Sequence, residues 1–496
     1  MIRRLAWLAA VVWIAGCAIG PRYRPAPVIA PNSQISGAYR DSSTRSFFDS
    51  LEVARRSDTL GVAGPPPQPP HILHADSLTD LAWLDVLHDS TLSRLVDLAL
   101  RRNRDLSVAR SRIAEYRAGV GVARAPLFPN LSLNGSASKN RVAFGSVGTL
   151  TYPAYRTTAD LSWELDFWGQ TRRGVQAAQA ELEAQRAAER AVVLSLVADV
   201  ATEYLQLLEL DQEHEVAQQT LASRQATLEL ARQRFGRGLI SELDIRQFEA
   251  QVAVPAARLA QVEQLRSERQ HALDVLLGQG QIEIPRTGSL ATVARAVVVP
   301  DSIPSTLLAR RPDVAVAERQ YAAATARIGE ADAARLPAFS IVGLYGAQST
   351  TTGDLYTAPS RVYELLGGVS IPIFTGGRLS NEARAARAQA EEARAQYEQS
   401  VLVALGEVGD ALTAVRAARD QAVALETQSV ALRRALDLAE LRYSRGLSNY
   451  LEVLDAQRSL FEAELASSQA ELQQLIATVE LYKALGGSWP QPPERR

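Results

Sequence analysis

The chain has 496 residues, 47% of them hydrophobic and 22% charged, with a formal net charge of -2. That length exceeds one ordinary domain, and the near-neutral balance argues against a nucleic-acid surface. A single cysteine, Cys17, excludes an intramolecular disulfide and a cysteine-based metal cluster. Low aromatic content, with heavy use of Ala, Arg, Gln, Glu and Leu, predicts long solvated helices in an elongated fold. The five histidines show no ligand-like spacing, and no Walker loop, dinucleotide fingerprint or nucleophile elbow is present, so neither a cofactor nor an enzyme is expected.

The amino terminus opens with Arg3 and Arg4, continues as "LAWLAAVVWIAG" and reaches Cys17 through Ile14, Ala15 and Gly16. The apolar run is short for a membrane span, and small residues before the cysteine suit signal-peptide cleavage. "IAGC" resembles a bacterial lipobox, which makes residues 1–16 a signal peptide and Cys17 the lipidated first residue of the mature chain. Ala18, in place of an aspartate, goes with transfer to an outer membrane. Lipid chains anchor only modestly, so a second membrane element is expected. Residues 17–90 read as a tether with a proline-rich insertion, "GPPPQPP", that favours extended chain.

The rest of the sequence is duplicated with an offset of 208. Asp105 maps to Asp313, Pro129 to Pro337, Gly135 to Gly343, Arg234 to Arg442 and Gly238 to Gly446, with a one-residue slip where "FWGQTRR" meets "IFTGGR". Two units follow, 91–304 and 305–487, with a tail at 488–496. Each begins with an amphipathic helix (about 91–125 and 305–335) and a proline-marked turn. Two candidate strands come next, at about 131–142 and 154–167, then 338–349 and 361–374. A helical hairpin closes each unit, at about 170–278 and 378–485.

In "ADLSWELDF" the apolar residues Ala159, Leu161, Trp163, Leu165 and Phe167 alternate with Asp160, Ser162, Glu164 and Asp166. An ordinary half-buried sheet gives this pattern, and so does a membrane barrel with lipid outside and water inside; strands of about twelve residues favour the barrel. Alternation places Glu164 and Asp166 on the wet face, which argues against a catalytic acid/base pair. Four strands cannot close in lipid, so other protomers must supply the remainder.

The long helices, about 171–235 and 378–443, lack proline. Apolar or small residues recur every seven positions at Val193, Val200, Leu207, Leu221, Leu228 and Phe235, and at Val401, Val408, Val415, Ala422, Leu436 and Tyr443. That period imposes coiled-coil supercoiling. His214 falls in the same register and reads as a packing position. Gly238 and Gly446 stop the helices, and the chain restarts with Ser241 to Asp244 and with Asn449 to Glu452, both at capping-box spacing. Each turn is therefore the tip of a hairpin.

The segments "CAIGPRYRPAP", "LSRLVDLALRRNRDLSVARSRI", "ARRPDVAVAERQ", "IPIFTGGR", "RYSRGLSNYLEVLDAQRSLF" and "ELYKALGGSW" together resemble the TolC-like outer-membrane factor family, in its lipoprotein branch of OprM and NodT type. The likeness covers nearly the whole mature chain and departs from it around residues 40–80. It implies an α+β membrane protein: a homotrimer whose twelve-stranded β-barrel, four strands per chain, continues into an α-helical coiled-coil barrel. Such proteins are passive exit ducts of tripartite efflux pumps in the bacterial outer membrane. A periplasmic adaptor meets the hairpin tips, here Arg234, Gly238, Arg442 and Gly446, and an inner-membrane transporter, often of the RND class, drives export. Leu451, Asp455 and Arg458 match positions that line or support the periplasmic constriction, and Glu452 matches an acidic gate position.

Spacings of four and three put Leu451, Asp455 and Arg458 on one helical stripe. Threefold symmetry would turn Asp455 into a ring of carboxylates. The first unit carries Leu243, Asp244 and Gln247 there and lacks the Asp455 acid, so the two units differ at the gate. Glu452 has a structural explanation as a capping acid shared with Asp244, which leaves Asp455 as the strongest gate candidate. A lipid-anchored coiled-coil scaffold would explain the heptads but not strands of membrane-crossing length.

Overall fold

In a computed structural model of the full chain, the described residues are 19–21, 23, 34–36, 89–143, 145, 148–280, 283–286, 290, 302–304 and 310–487. The proposed signal peptide, Cys17, most of the 17–90 tether and the 488–496 tail lie outside them. In chain order the elements are β1 (Gln34–Ser36), α1 (Ser90–Arg102), α2 (Arg104–Arg124), β2 (Asn130–Ala143), β3 (Thr149–Leu165), α3 (Gln170–Gly236) and α4 (Glu242–Leu276). Then come β4 (Ser302–Pro304), α5 (Pro312–Ala333), β5 (Ala338–Ser349), β6 (Arg361–Ser370), α6 (Arg378–Ser444) and α7 (Tyr450–Ala484). The long helices α3 and α6 are 67 residues each, α4 and α7 are 35 each, and each pair starts 208 residues apart.

Strands β2, β3, β5 and β6 form one antiparallel sheet in the order β2-β3-β5-β6. Its register places Leu131 opposite Leu161, Leu161 opposite Gly343 and Gly343 opposite Leu365. Directly opposed residues share a face, so Leu131, Leu133, Leu161, Trp163, Ile341, Tyr345, Tyr363, Leu365 and Val369 make one apolar surface across all four strands. Much of it is open: Leu133 is 78% exposed and Tyr363 83%. The opposite face carries Ser132, Asn134, Asp160, Ser162, Ser340 and Glu364, interrupted by Val342, Leu344 and Leu366. Among the described residues, strands β2 and β6 each lack a partner on one side, and an unpaired edge beside an exposed apolar face calls for something to cover both.

The chain divides into two compact units. One comprises residues 1–27, 109–188 and 315–400, the other residues 28–108, 189–314 and 401–496. The first carries the four-stranded sheet and a small core of Ile113, Val120 and Leu182. The second carries the main core, where α1, α3, α4 and α7 bury Leu92, Val197, Val200, Tyr204, Leu207, Leu273 and Leu475. Removing such side chains from water, each worth about 2 kcal/mol, holds the helices together more than their intrinsic propensity does. Asp89 starts α1 by accepting from the Thr91 and Leu92 amides at 2.7 and 3.1 Å, while its other oxygen accepts from the buried Tyr204 hydroxyl at 2.9 Å. The heptad positions Val200, Leu207, Leu228, Val401, Val408, Val415 and Ala422 are buried, whereas Phe235, beside the tip, is exposed.

Two local expectations change. The continuous helix over 91–125 is broken at Asn103, whose ψ of 137° leaves the helical region. Its side chain caps α2 through the Leu106 amide at 3.0 Å and donates to the Leu276 carbonyl at 3.0 Å. Asp166 does not continue the wet face of β3, which ends at Leu165. It turns back to accept from the Thr171 and Arg172 amides at 3.1 and 2.9 Å and from Arg172 Nε at 3.2 Å. A carboxylate beside orphan amides at a helix start explains this better than a strand-face position does.

Candidate functional site

The second unit of the fold holds both hairpin tips. At the first, the Gly238 amide donates to the Phe235 carbonyl at 2.8 Å and the Leu239 amide to the Arg234 carbonyl at 3.0 Å. At the second, Gly446 and Leu447 repeat this to Tyr443 and Arg442, at 3.0 and 2.9 Å. This double closure requires a left-handed residue, and both glycines comply with φ of +70° and +74°.

The two restarts differ. Ser241 and Asp244 form a complete capping box: the Ser241 hydroxyl accepts from the Asp244 amide at 3.3 Å, and Asp244 Oδ2 accepts from the Ser241 amide at 2.8 Å. The Ser241 hydroxyl, which also donates to Oδ2, holds the Asp244 carboxyl below its usual range. Asn449 makes no side-chain cap bond. Glu452, expected to be the matching capping acid, instead sits 3.6 Å from Arg442 Nε on the incoming helix. Its longer side chain has a cation within reach, and the charge pair replaces the cap.

Arg234, the first-unit counterpart of Arg442, reaches the other hairpin. It donates to the Tyr443 hydroxyl at 2.6 Å, and its guanidinium carbon lies 5.6 Å from the Tyr443 ring centroid. Tyr443 stands edge-on to Tyr450 at 5.2 Å, and Tyr450 packs on Phe248 at 4.4 Å. An Arg-Tyr-Tyr-Phe chain thus stitches the first hairpin to the second, a link that the heptad pattern registers only as Tyr443 in a packing position. Burial, with Tyr443 and Glu440 nearby, pushes the Tyr450 phenol above its ordinary value.

The stripe predicted on α7 is present and open. Leu451 is 57% exposed, and Arg458 donates to Asp455 Oδ1 at 2.9 Å with both side chains largely in solvent. Val453 and Leu454, between them in sequence, are buried. The stripe therefore lies on the face of α7 that does not pack within the chain. Asp244 and Gln247 are half-buried, and Gln247 offers no charge.

Deeper in the same unit lie charges that the sequence pattern does not single out. Arg258 on α4 grips the buried Glu213 of α3 at 2.7 and 2.5 Å. Glu209, one turn earlier and 5% exposed, is raised to about 7 by burial first and by Glu213 second. The buried Ser468 hydroxyl of α7 lies beside Glu209 and partly offsets that rise. Arg311, 7% exposed at its side chain, joins Asp313 (2.7 Å), Glu407 on α6 (2.5 Å) and the Ala484 carbonyl that ends α7 (2.9 Å). These residues flank a cavity of about 520 Å³, lined also by Ser195, Asp410 and Lys483. Among the described residues no cluster of His, Cys, Asp or Glu could hold a metal ion.

Two strand pairs of one sheet, each followed by a long helical hairpin, also make up the outer-membrane channel OprN, whose solved structure superposes with a TM-score of 0.78 at 28% identity, covering 96% of this chain and all of its own. The sequence profile of outer membrane efflux proteins matches residues 95–279 and again 303–487. The pyoverdine export outer membrane protein OpmQ of Pseudomonas putida is 34% identical over 440 residues, covering 87% of this chain and 93% of its own. Outer membrane protein OprJ of Pseudomonas aeruginosa is 34% identical over 423 residues, covering 84% and 88%. A crystal structure of a membrane protein from Pseudomonas aeruginosa superposes with a TM-score of 0.81 at 30% identity, covering 95% of this chain and all of its own. The chain belongs to the outer membrane efflux protein family and is the outer-membrane channel component of an efflux pump.

Proposed function

We propose that three copies of this chain close a twelve-stranded barrel in the outer membrane, with the two structural repeats of each copy contributing their hairpins to a tunnel below it. The carrying observation is the sheet: four strands of 10 to 17 residues, an apolar surface that crosses all four of them, and two edges unpaired among the described residues. A transmembrane strand needs about 9–11 residues, and open edges are not stable in lipid. Pairing β2 of one copy with β6 of the next removes both edges.

In this reading Leu451, Asp455 and Arg458 face the pore at its periplasmic end and form an iris-like gate, and the exposed tips, with Arg234, Gly238, Arg442 and Gly446, receive a periplasmic adaptor bound to an inner-membrane RND-type transporter. Cys17 carries the lipid anchor. The duct passes small molecules without chemistry and takes its selectivity from the pump; the relative named for pyoverdine export fits such a cargo. Recording in a planar bilayer tests the proposal: discrete conductance steps are expected from purified protein that cross-links as a trimer. Trimeric protein that gives no channels would refute it.

A further inference from the structure

The first unit of the fold contains a seat for the chain's own amino-terminal segment. The Ile19 amide donates to the Trp168 carbonyl at 3.1 Å, and the Trp168 indole donates to the Pro337 carbonyl, just before β5, at 2.8 Å. Gly20 has φ of +105°, and a Cβ there would run into the backbone of Gly329 on α5. A Cβ on Gly329 would fall 2.8 Å from the Ile19 carbonyl oxygen and 2.9 Å from Arg173 Nε. Neither position has room for a side chain.

Arg173 of α3, only 6% exposed, spends its guanidinium on this segment. Nε donates to the Ile19 carbonyl at 3.0 Å, Nη2 to the Gly20 carbonyl at 2.9 Å, and Nη1 to Gln176 at 3.0 Å. Tyr23 donates to Glu318 Oε1 at 3.1 Å and stands edge-on to Tyr321 at 5.4 Å. Burial and the Glu318 carboxylate together raise its phenol above the ordinary value. The contacts step from Gly329 back to Tyr321 and Glu318 as the segment advances from 20 to 23, so it runs antiparallel to α5, away from the strand ends.

We infer that Arg173, Gly329, Tyr321 and Glu318 form an intramolecular docking track that seats Ile19, Gly20 and Tyr23 and so holds the start of the strap at the level where β3 ends and β5 begins. Cys17 precedes Ile19 by two positions, a reach of at most about 7 Å. Acyl chains on Cys17 then enter the bilayer beside the strands of their own protomer instead of at the end of a free tether. A buried guanidinium that meets two backbone carbonyls gives the seat strength, because charge-assisted hydrogen bonds are about twice as strong as neutral ones. The glycine pair gives it selectivity for one register of the segment. The anchoring role rests on the proposed lipidation of Cys17; the seat itself does not.

Pulsed electron-electron spin resonance on the full-length protein tests both. Nitroxides at Pro21→Cys and Arg319→Cys, both exposed positions, report the strap against α5 in spin-diluted membranes. One narrow distance is expected in the parent chain. Gly329→Val, Arg173→Ala and the strap-only change Gly20→Val should each broaden it and cut the seated population about tenfold or more, the effect of losing one charge-assisted hydrogen bond. A second pair at the exposed tip residues Leu239 and Leu447 should be unchanged, which separates release of the strap from unfolding. A broad distribution in the parent, or a narrow one that survives Gly20→Val and Gly329→Val, would overturn the seat. The mass of the amino-terminal peptide reads acylation separately: a seated strap on an unacylated Cys17 would overturn the anchoring role alone, and the same pair in Cys17→Ser reads the seat without lipid.

Discussion

Glu209→Gln gives the sharpest test of how charge is stored between the helices. Glu209 is buried beside Glu213, which already holds Arg258, so two carboxylates share one cation and one of them is better neutral. Its carboxyl titrates near 7 in the folded protein against 4.5 when unfolded. The folded state therefore keeps a proton that the unfolded state releases, and the stability from this group, complete below about pH 4.5, is lost as pH rises toward 7. The full rise corresponds to a ceiling of about 3 kcal/mol. Glutamine keeps the neutral shape and an N–H for Glu213, so the variant should be about 1–3 kcal/mol more stable than the parent at pH 8 and nearly equal to it at pH 5. Urea unfolding of detergent-solubilised protein, followed by helical circular dichroism at both pH values, measures the difference. An equal shift at both pH values, or destabilisation at pH 8, would refute the argument that Glu209 is held neutral by its surroundings.

Arg258→Met should have the opposite sign, costing about 3–5 kcal/mol at pH 8 because it strands Glu213 without a partner, and adding Glu213→Gln should recover most of the loss in the same unfolding assay. Asp455→Ala with Arg458→Ala removes an exposed pair worth at most about 1 kcal/mol, so helicity should not change while single-channel conductance or sensitivity to large antibiotics rises; unchanged conductance would count against a gate on this stripe. Tyr443→Phe removes the hydroxyl that accepts from Arg234 yet keeps the ring stack, and should raise conductance less than Arg234→Ala, which removes both contacts. Ser241→Ala should cost about 1 kcal/mol through the lost cap, whereas Asn449→Ala, where the side chain caps nothing, should cost distinctly less in thermal melts.

Much of this architecture was legible in the sequence because its main signals are periodic. Alternation places β2 to within one residue at each end and β5 to the residue, and the glycine turns mark both helical hairpins. What stayed hidden depends on single side chains choosing among nearby partners. Asn103 breaks a helix that periodicity alone continues, and Asp166 leaves a strand pattern because unpaired amides at the start of α3 attract it. Spacing makes Asp244 and Glu452 equivalent; Arg442, at the end of the incoming helix, makes them different. Arg234 and Tyr443 are separated by 209 residues, and no local pattern announces such a pair. Glu209 and Glu213 carried a weak signal, two acids one turn apart beside the buried heptad residue Leu207. For the proposed gate stripe, the spacing was legible in the sequence and the exposure came from the structure.

The distribution of charge separates holding from the proposed gating. Glu213 and Arg311 are buried and Arg258 is half-buried, all closely paired, and removing one member of such a set costs far more than the pair contributes on its own. A helix bundle pinned this way tolerates little change at those points. Asp455, Arg458 and Leu451 lie on an exposed face of α7, where substitution alters charge with little effect on stability. Among the described residues the two tips are tied by the Arg234 contact and by the stack of Tyr443 and Tyr450 on the buried Phe248. A hinge is expected where ties are few, so motion of the second hairpin against the first should break the Arg234–Tyr443 contact well before it disturbs the Glu213–Arg258 pair. The difference between the repeats follows from the same logic: the capping box fixes the first hairpin's restart, while the second, held there by the exposed Arg442–Glu452 pair in place of a cap, is the one expected to move.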